Sequence, residues 1–243
     1  MLNYRVDPGL LQSFIPAGTE LDFFQQQTFI SVVGFQFLHA RIRGLAIPWH
    51  GNFPEVNLRF YVRRRGPEGW RRGVVFLREL VPRLAIALVA RTVYNEPYAA
   101  APMRHRWDPA PAPGLPHTAA YSWQWPQTWN EMTISVRAEP QPMVPGSEAE
   151  FIAEHYWGYT AQRDGSTLEY QVEHPPWRVW TAEATSLTGD LRACYGPALG
   201  ECLQGPPSSA FLAEGSKVEV YGGARITLSH QGSQAPSSPC RPH

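Results

Sequence analysis

The 243 residues balance 21 Lys plus Arg against 21 Asp plus Glu, so no whole-chain field draws this protein to nucleic acid or to an anionic membrane. Hydrophobic residues make up 43% and charged ones 17%, too apolar for disorder and enough for one core at a length that strand-rich domains reach undivided. The 24 prolines exclude many long helices, because proline removes a donor and interrupts helices and central strands.

In chain order, residues 1–6 form a short apolar strand, and Asp7-Pro8 supplies an N-cap with proline at the first helical position, predicting a short helix to Phe14. Because the chain begins inside a strand-like stretch, further residues are expected before Met1. Residues 28–43 are dense in β-formers and predict a long buried strand, with Gly34 as a bend. Residues 53–64 and 73–80 flank the turn Gly66-Pro67-Glu68-Gly69 and predict a hairpin. Residues 82–94 open with Pro82, are apolar almost all round and stop at Asn95, which predicts a buried helix against the sheet. Further strands are expected at 118–125, 131–138, 155–163, 168–173 and 178–188, with short helices at 148–153 and 190–195. Residues 107–117 predict a Pro-rich loop, and 231–243 a disordered polar tail. The expected architecture is one α+β, mainly β domain over 1–230, with one buried helix (82–94) and a few short ones.

The apolar run from Leu84 to Ala90 falls short of the roughly 20 residues that cross a bilayer. No basic-then-apolar leader is present, so a cytoplasmic location without membrane contact is expected. Cys194, Cys202 and Cys240 are odd in number and lack Cys-x-x-Cys spacing, which argues for reduced structural thiols rather than disulfides or zinc. His-Glu-x-x-His, Gly-x-Ser-x-Gly, Gly-x-Gly-x-x-Gly and the phosphate-loop pattern are all missing, so no metal or cofactor is expected.

Along residues 55–62 alternate side chains take opposite faces: Val56, Leu58, Phe60 and Val62 on one, Glu55, Asn57, Arg59 and Tyr61 on the other. A solvated strand face explains this pattern. A pocket wall explains it too, because an acid, an amide, a guanidinium and a phenol form a polar pocket's donor and acceptor set. His174, before the rigid Pro175-Pro176, is either a structural histidine or part of a pocket rim. Arg63, Arg64, Arg65, Arg71 and Arg72 with Trp70 make a basic hairpin tip, solvated or in contact with phosphate. Tyr121, Trp123, Trp125 and Trp129 suit a core or pocket wall better than a base-stacking platform.

Tyr4-Arg5-Val6-Asp7, Phe53-Pro54-Glu55-Val56-Asn57, Tyr94-Asn95-Glu96-Pro97-Tyr98, Phe151-Ile152-Ala153-Glu154-His155-Tyr156 and Val172-Glu173-His174-Pro175-Pro176-Trp177 resemble the YqjF-like family of uncharacterised proteins. That family is similar in fold to the acetoacetate decarboxylases, and the resemblance implies antiparallel sheets forming a barrel-like body around a pocket. It also implies that Arg5 matches the decarboxylase arginine and Glu55 its glutamate, while Tyr98-Ala99 stands where the lysine pair would be. A phenol cannot form a Schiff base, which needs an amine, and the chain's one lysine, Lys217, lies outside the matched motif.

Glu55, Arg5 and Tyr98 are accordingly the candidate catalytic residues for non-covalent acid/base chemistry on a small organic acid, with Asn57, Arg59, Tyr61 and His174 as ligand contacts. Structural alternatives remain open: an internal Arg5–Glu55 ion pair, and Tyr98 as a core aromatic. A non-catalytic binding or sensing protein would use the same pocket. A homo-oligomer is expected from the resemblance and the edge prolines.

Overall fold

The computed structural model describes every residue except 39–40, 43–44, 47–51, 83–94, 96, 110–114, 138 and 227–243. The helix expected at 82–94, apart from Pro82, and the tail expected at 231–243 lie outside the described residues. Asn95 does adopt the left-handed backbone conformation, with φ of 57°.

The strands are β1 (Leu2–Val6), β2 (Glu20–Leu21), β3 (Thr28–Phe37), β4 (Arg41–Ile42), β5 (Leu45–Ala46), β6 (Phe53–Gly66), β7 (Gly69–Val81), β8 (Tyr98–Ala100), β9 (Met103–Asp108), β10 (His117–Gln124), β11 (Trp129–Val136), β12 (Gln141–Pro142), β13 (Trp157–Ala161), β14 (Thr167–Glu173), β15 (Arg178–Thr188), β16 (Ser209–Ala213), β17 (Glu219–Val220) and β18 (Ala224–Ile226). A 3-10 helix spans Pro8–Phe14, where the Asp7 carboxylate accepts the Gly9 amide at 2.7 Å, so the expected cap is present on a tighter helix. Short α-helices occupy Glu148–Ala153, Leu191–Tyr195 and Pro197–Cys202.

One mixed sheet runs β17-β14-β13-β7-β6-β3-β1-β16-β15-β11-β10-β9, with β2, β8, β12 and β18 attached beside this path. It has two ends, so it is barrel-like without closing. Pairing is antiparallel except where β7 meets β13 and β8 in parallel, a refinement of the all-antiparallel expectation. The sheet curls until β10 and β11 face β3: a side chain at Gly34 would stand 2.7 Å from the Tyr121 ring and 3.0 Å from the Met132 sulfur. Gly34, expected as a bend, marks a close approach of two layers within β3.

The main core lies inside this curl. It holds Val56, Leu58, Phe60 and Val62 from β6 with Trp123 from β10, Met132 from β11 and Leu191, Cys194, Tyr195, Leu199 and Leu203 from the helical segment. The outer face of β6 is covered as well, by Phe151, Ile152 and Ala153 of the helix Glu148–Ala153. Both faces of β6 are buried, which the alternation alone did not predict.

The β6–β7 ladder contains a bulge. Arg59 pairs with Phe76 and Leu58 with Arg78, leaving Leu77 as the extra residue. Past that point the alternation of β7 is inverted: Val74, Phe76 and Glu79 share the outer face, and Val75, Arg78 and Leu80 share the inner one. Among the described residues no helix is long and apolar enough to cross a membrane.

Candidate functional site

Glu55 opens the polar face of β6. Register pairs Asn57 with Glu79 of β7, and Glu79 with Tyr98 of β8, so the side chains of Glu55, Asn57, Glu79 and Tyr98 all rise from the outer face of three adjacent strands. Glu55 is 1% exposed, Asn57 2% and Glu79 1%. The Tyr98 hydroxyl donates to Glu55 Oε2 at 3.1 Å, and Asn57 Nδ2 donates to Oε1 at 3.1 Å. Asn57 Oδ1 is buried with no hydrogen-bond partner among the described residues. Phe37, Phe53, Val81 and Ala100 form an apolar patch beside this group, with the Tyr98 ring packed on it. The arrangement pairs a buried carboxylate with a phenol, a combination able to pass a proton.

Glu79 was missed by the sequence reading, and no periodicity could have found it. The bulge at Leu77 is what turns it to the Glu55 side.

Arg59 and Tyr61 share the face with Glu55 but lie under the helix Glu148–Ala153. Arg59 donates to the Ile152 carbonyl at 3.1 Å. The Tyr61 hydroxyl meets Ser31 Oγ at 2.6 Å, Ser31 donates to Asn3 Oδ1 at 2.7 Å, and Asn3 Nδ2 donates to Ser209 Oγ at 3.0 Å. The His155 ring packs on Tyr61 with 4.7 Å between centroids. Burial holds His155 well below the ordinary histidine range, helped by the charges of Arg72 and Arg59. Arg72 donates to Asp22 Oδ2 at 2.6 Å and to the Phe151 carbonyl at 3.2 Å, fixing the helix to the sheet.

Arg5 is placed elsewhere. Its side chain is 57% exposed and 3.7 Å from Glu148. Arg5 pairs with Phe29 and Glu55 with Phe35 of the same strand, a separation of roughly 20 Å along β3. His174 is stacked between Trp177 at 4.1 Å and Tyr156 at 5.0 Å, distant from the Glu55 group in the sheet order. The structure thus brings together Glu55, Asn57 and Tyr98, and leaves Arg5, Arg59, Tyr61 and His174 outside that group.

Four arginines of the basic hairpin meet acids, most of them on other segments. Arg63 pairs with Glu20 at 2.7 Å, Arg64 with Glu169 at 3.1 Å, Arg71 with both Glu68 and Glu169, and Arg72 with Asp22. Arg63 and Arg65 both lie over the Trp70 ring. Among the described residues no group of three His, Cys, Asp or Glu side chains is arranged to hold a metal.

This curled sheet has the acetoacetate decarboxylase-like fold. Acetoacetate decarboxylase from Legionella pneumophila subsp. pneumophila str. Philadelphia 1 superposes with a TM-score of 0.60 over 93% of this chain and 83% of that one, at 14% identity. The enduracididine biosynthesis enzyme MppR superposes with a TM-score of 0.58 over 93% and 84%, at 15% identity. Within that fold the chain belongs to the DUF2071 family of uncharacterized conserved proteins, whose profile matches residues 1–217. It is 28% identical over 206 residues to the uncharacterized protein YqjF of Bacillus subtilis (strain 168), covering 82% of this chain and 79% of that protein.

Proposed function

We propose that this protein binds a small organic acid at Glu55, Asn57 and Tyr98 and moves a proton on it without forming a Schiff base. The observation that carries the reading is the 3.1 Å contact between the Tyr98 hydroxyl and a Glu55 carboxylate that is 1% exposed. In this reading Glu55 takes a proton from the carbon next to a ketone, and the Tyr98 hydroxyl donates to the enolate oxygen that forms. Pyruvate is a reasonable first ligand, because the enduracididine biosynthesis enzyme, which shares the fold, has been solved in complex with it. Two observations support the absence of a Schiff base. The motif resemblance puts Tyr98 at the position of the decarboxylase lysine, and the side chain of Lys217 is 82% exposed beside Glu219. The ion pairs of the arginine hairpin support a protein without nucleic-acid affinity.

The test is hydrogen–deuterium exchange at C3 of pyruvate in D2O, followed by NMR. Base removal of one proton gives the enolate, and return of a deuteron completes the exchange. Exchange above background in the wild type, lost in Glu55→Gln and untrapped by borohydride, is the expected result. Saturable pyruvate binding without exchange would instead establish a binding or sensing protein, a reading favoured by the two protein donors already seated on Glu55.

A further inference from the structure

We infer that Glu79 is a positioning residue for Glu55: it keeps its proton, gives it as a hydrogen bond to Asn57 Oδ1, and through the Asn57 amide holds Glu55 in its ionised form. The observation that leads here is a mismatch on Asn57. Its Nδ2 donates to Glu55 Oε1 at 3.1 Å, while its Oδ1 is buried with no hydrogen-bond partner among the described residues. Exchanging the two amide atoms offers no escape, because it would set a carbonyl oxygen against a carboxylate oxygen. A buried acceptor in this position calls for a donor.

Register places Glu79 to supply it. Asn57 of β6, Glu79 of β7 and Tyr98 of β8 are direct cross-strand partners in one row, and Glu55 stands two residues before Asn57 on the same face. Glu79 is thus directly opposite Asn57 and diagonal to Glu55, which for such neighbours means separations of about 4.5–5.5 Å and roughly 7–8 Å at the base of the side chains. Asn57 and Tyr98, on the two sides of Glu79, both reach the Glu55 carboxylate at 3.1 Å. The Glu79 side chain, on a residue only 1% exposed, is enclosed between two groups that converge on Glu55.

The surroundings decide which acid carries the proton. Two carboxylates this near one another and almost wholly out of water do not both ionise, since burial and a like charge each favour the neutral form. Glu55 receives hydrogen bonds from Tyr98 and Asn57, and bonds donated to a carboxylate stabilise its charge. Glu79 faces an acceptor, and only its protonated form has an O–H to give. A single proton on Glu79 satisfies Asn57 Oδ1 and removes the repulsion together. Among the described residues, the nearest ionisable groups along this face are Tyr98, already on Glu55, and Arg59, two residues beyond Asn57, which donates to the Ile152 carbonyl; His155 lies further on, against Tyr61. On the β3 side Val33 and Phe35 flank Asn57 and Glu55 with apolar side chains.

The test follows the glutamate carboxyl carbons of the 13C-labelled full chain by NMR as pH is varied, each signal assigned through its own side chain. At neutral pH Glu79 is expected to be protonated and Glu55 ionised, with Glu79 holding its proton to at least ~1 pH unit above Glu55. Glutamine keeps an N–H donor for Asn57 Oδ1, so Glu79→Gln should fold and leave Glu55 ionised. Exchange at C3 of pyruvate, the one part that rests on the proton-transfer reading, should fall at least ~10-fold in Glu79→Leu, from the loss of a buried hydrogen bond, and be rescued in Glu79→Gln. Absence of exchange in the wild type would sink that reading alone, because the carboxyl signals report the proton without turnover. The inference is overturned if Glu79 is ionised or Glu55 protonated in the wild type at neutral pH, or if Glu79→Gln fails to fold.

Discussion

Tyr98 reaches over strand β7 to Glu55: its ring starts on β8, next to Glu79, and its hydroxyl ends 3.1 Å from a carboxylate on β6. The contact ties three strands together on their outer face. It also supplies one donor, beside Asn57, to a carboxylate which is almost wholly removed from water.

Tyr98→Phe removes that donor while keeping the ring on Phe53 and Val81. Leaving a buried acceptor short of a partner costs about 1–3 kcal/mol, so the unfolding free energy is expected to fall by that amount, read as a lower urea midpoint at an unchanged m-value. A change below about 0.5 kcal/mol would mean that solvent replaces the phenol at Glu55.

His155 makes stability depend on pH. Its folded pKa lies well below the ordinary value of 6.5 because burial disfavours the charged ring, with Arg72 and Arg59 adding repulsion. Between the folded value and 6.5 the unfolded chain binds the extra proton, so stability is complete above that window and is lost as pH falls through it. The slope reaches at most ~1.4 kcal/mol per pH unit. His155→Gln should flatten the profile below the ordinary value of 6.5, as read by urea unfolding at each pH.

Gly34→Ala places a methyl group 2.7–2.8 Å from the Tyr121 ring and 3.0 Å from the Met132 sulfur. Overpacking of this kind costs about 1–3 kcal/mol, and thermal unfolding should report it. Truncating the ring in Gly34→Ala/Tyr121→Ala should make the methyl itself much less costly, the signature of a steric clash rather than a backbone effect.

Glu169 sits between Arg64 and Arg71, with side-chain exposures of 6%, 24% and 18%. Removing the shared anion in Glu169→Ala leaves two half-buried arginines facing each other. The expected cost is roughly 3–5 kcal/mol, measured by denaturant unfolding. The same variant frees Arg64 while Arg71 keeps Glu68, so it should bind heparin more tightly than the wild type.

Much of the strand layout was legible locally. The Asp7-Pro8 cap, the hairpin around Pro67-Glu68 and the helix Glu148–Ala153 follow from residues adjacent in sequence, whose capping and turn preferences act over a few positions. Glu55, Asn57 and Tyr98 were also named in advance, two by alternation and one by family motif. Strands β8, β9, β17 and β18 at the sheet margins and β16 between β1 and β15 were not seen, because such short strands carry little periodic signal and gain their hydrogen bonds only from distant partners.

By itself the sequence determined that this is a mainly β protein with neutral charge and that β6 carries an acid, an amide, a guanidinium and a phenol on one side. Each of these is a property of side-chain chemistry or of a period of two. Tertiary structure decided which of those groups meet. The Leu77 bulge inverted the second half of β7, bringing Glu79 to Glu55 and sending Arg78 inward, while the helix Glu148–Ala153 covered Arg59 and Tyr61, and register left Arg5 far along β3. One inserted residue reverses every later side chain on its strand, and neither a bulge nor a strand partner is encoded in the local pattern.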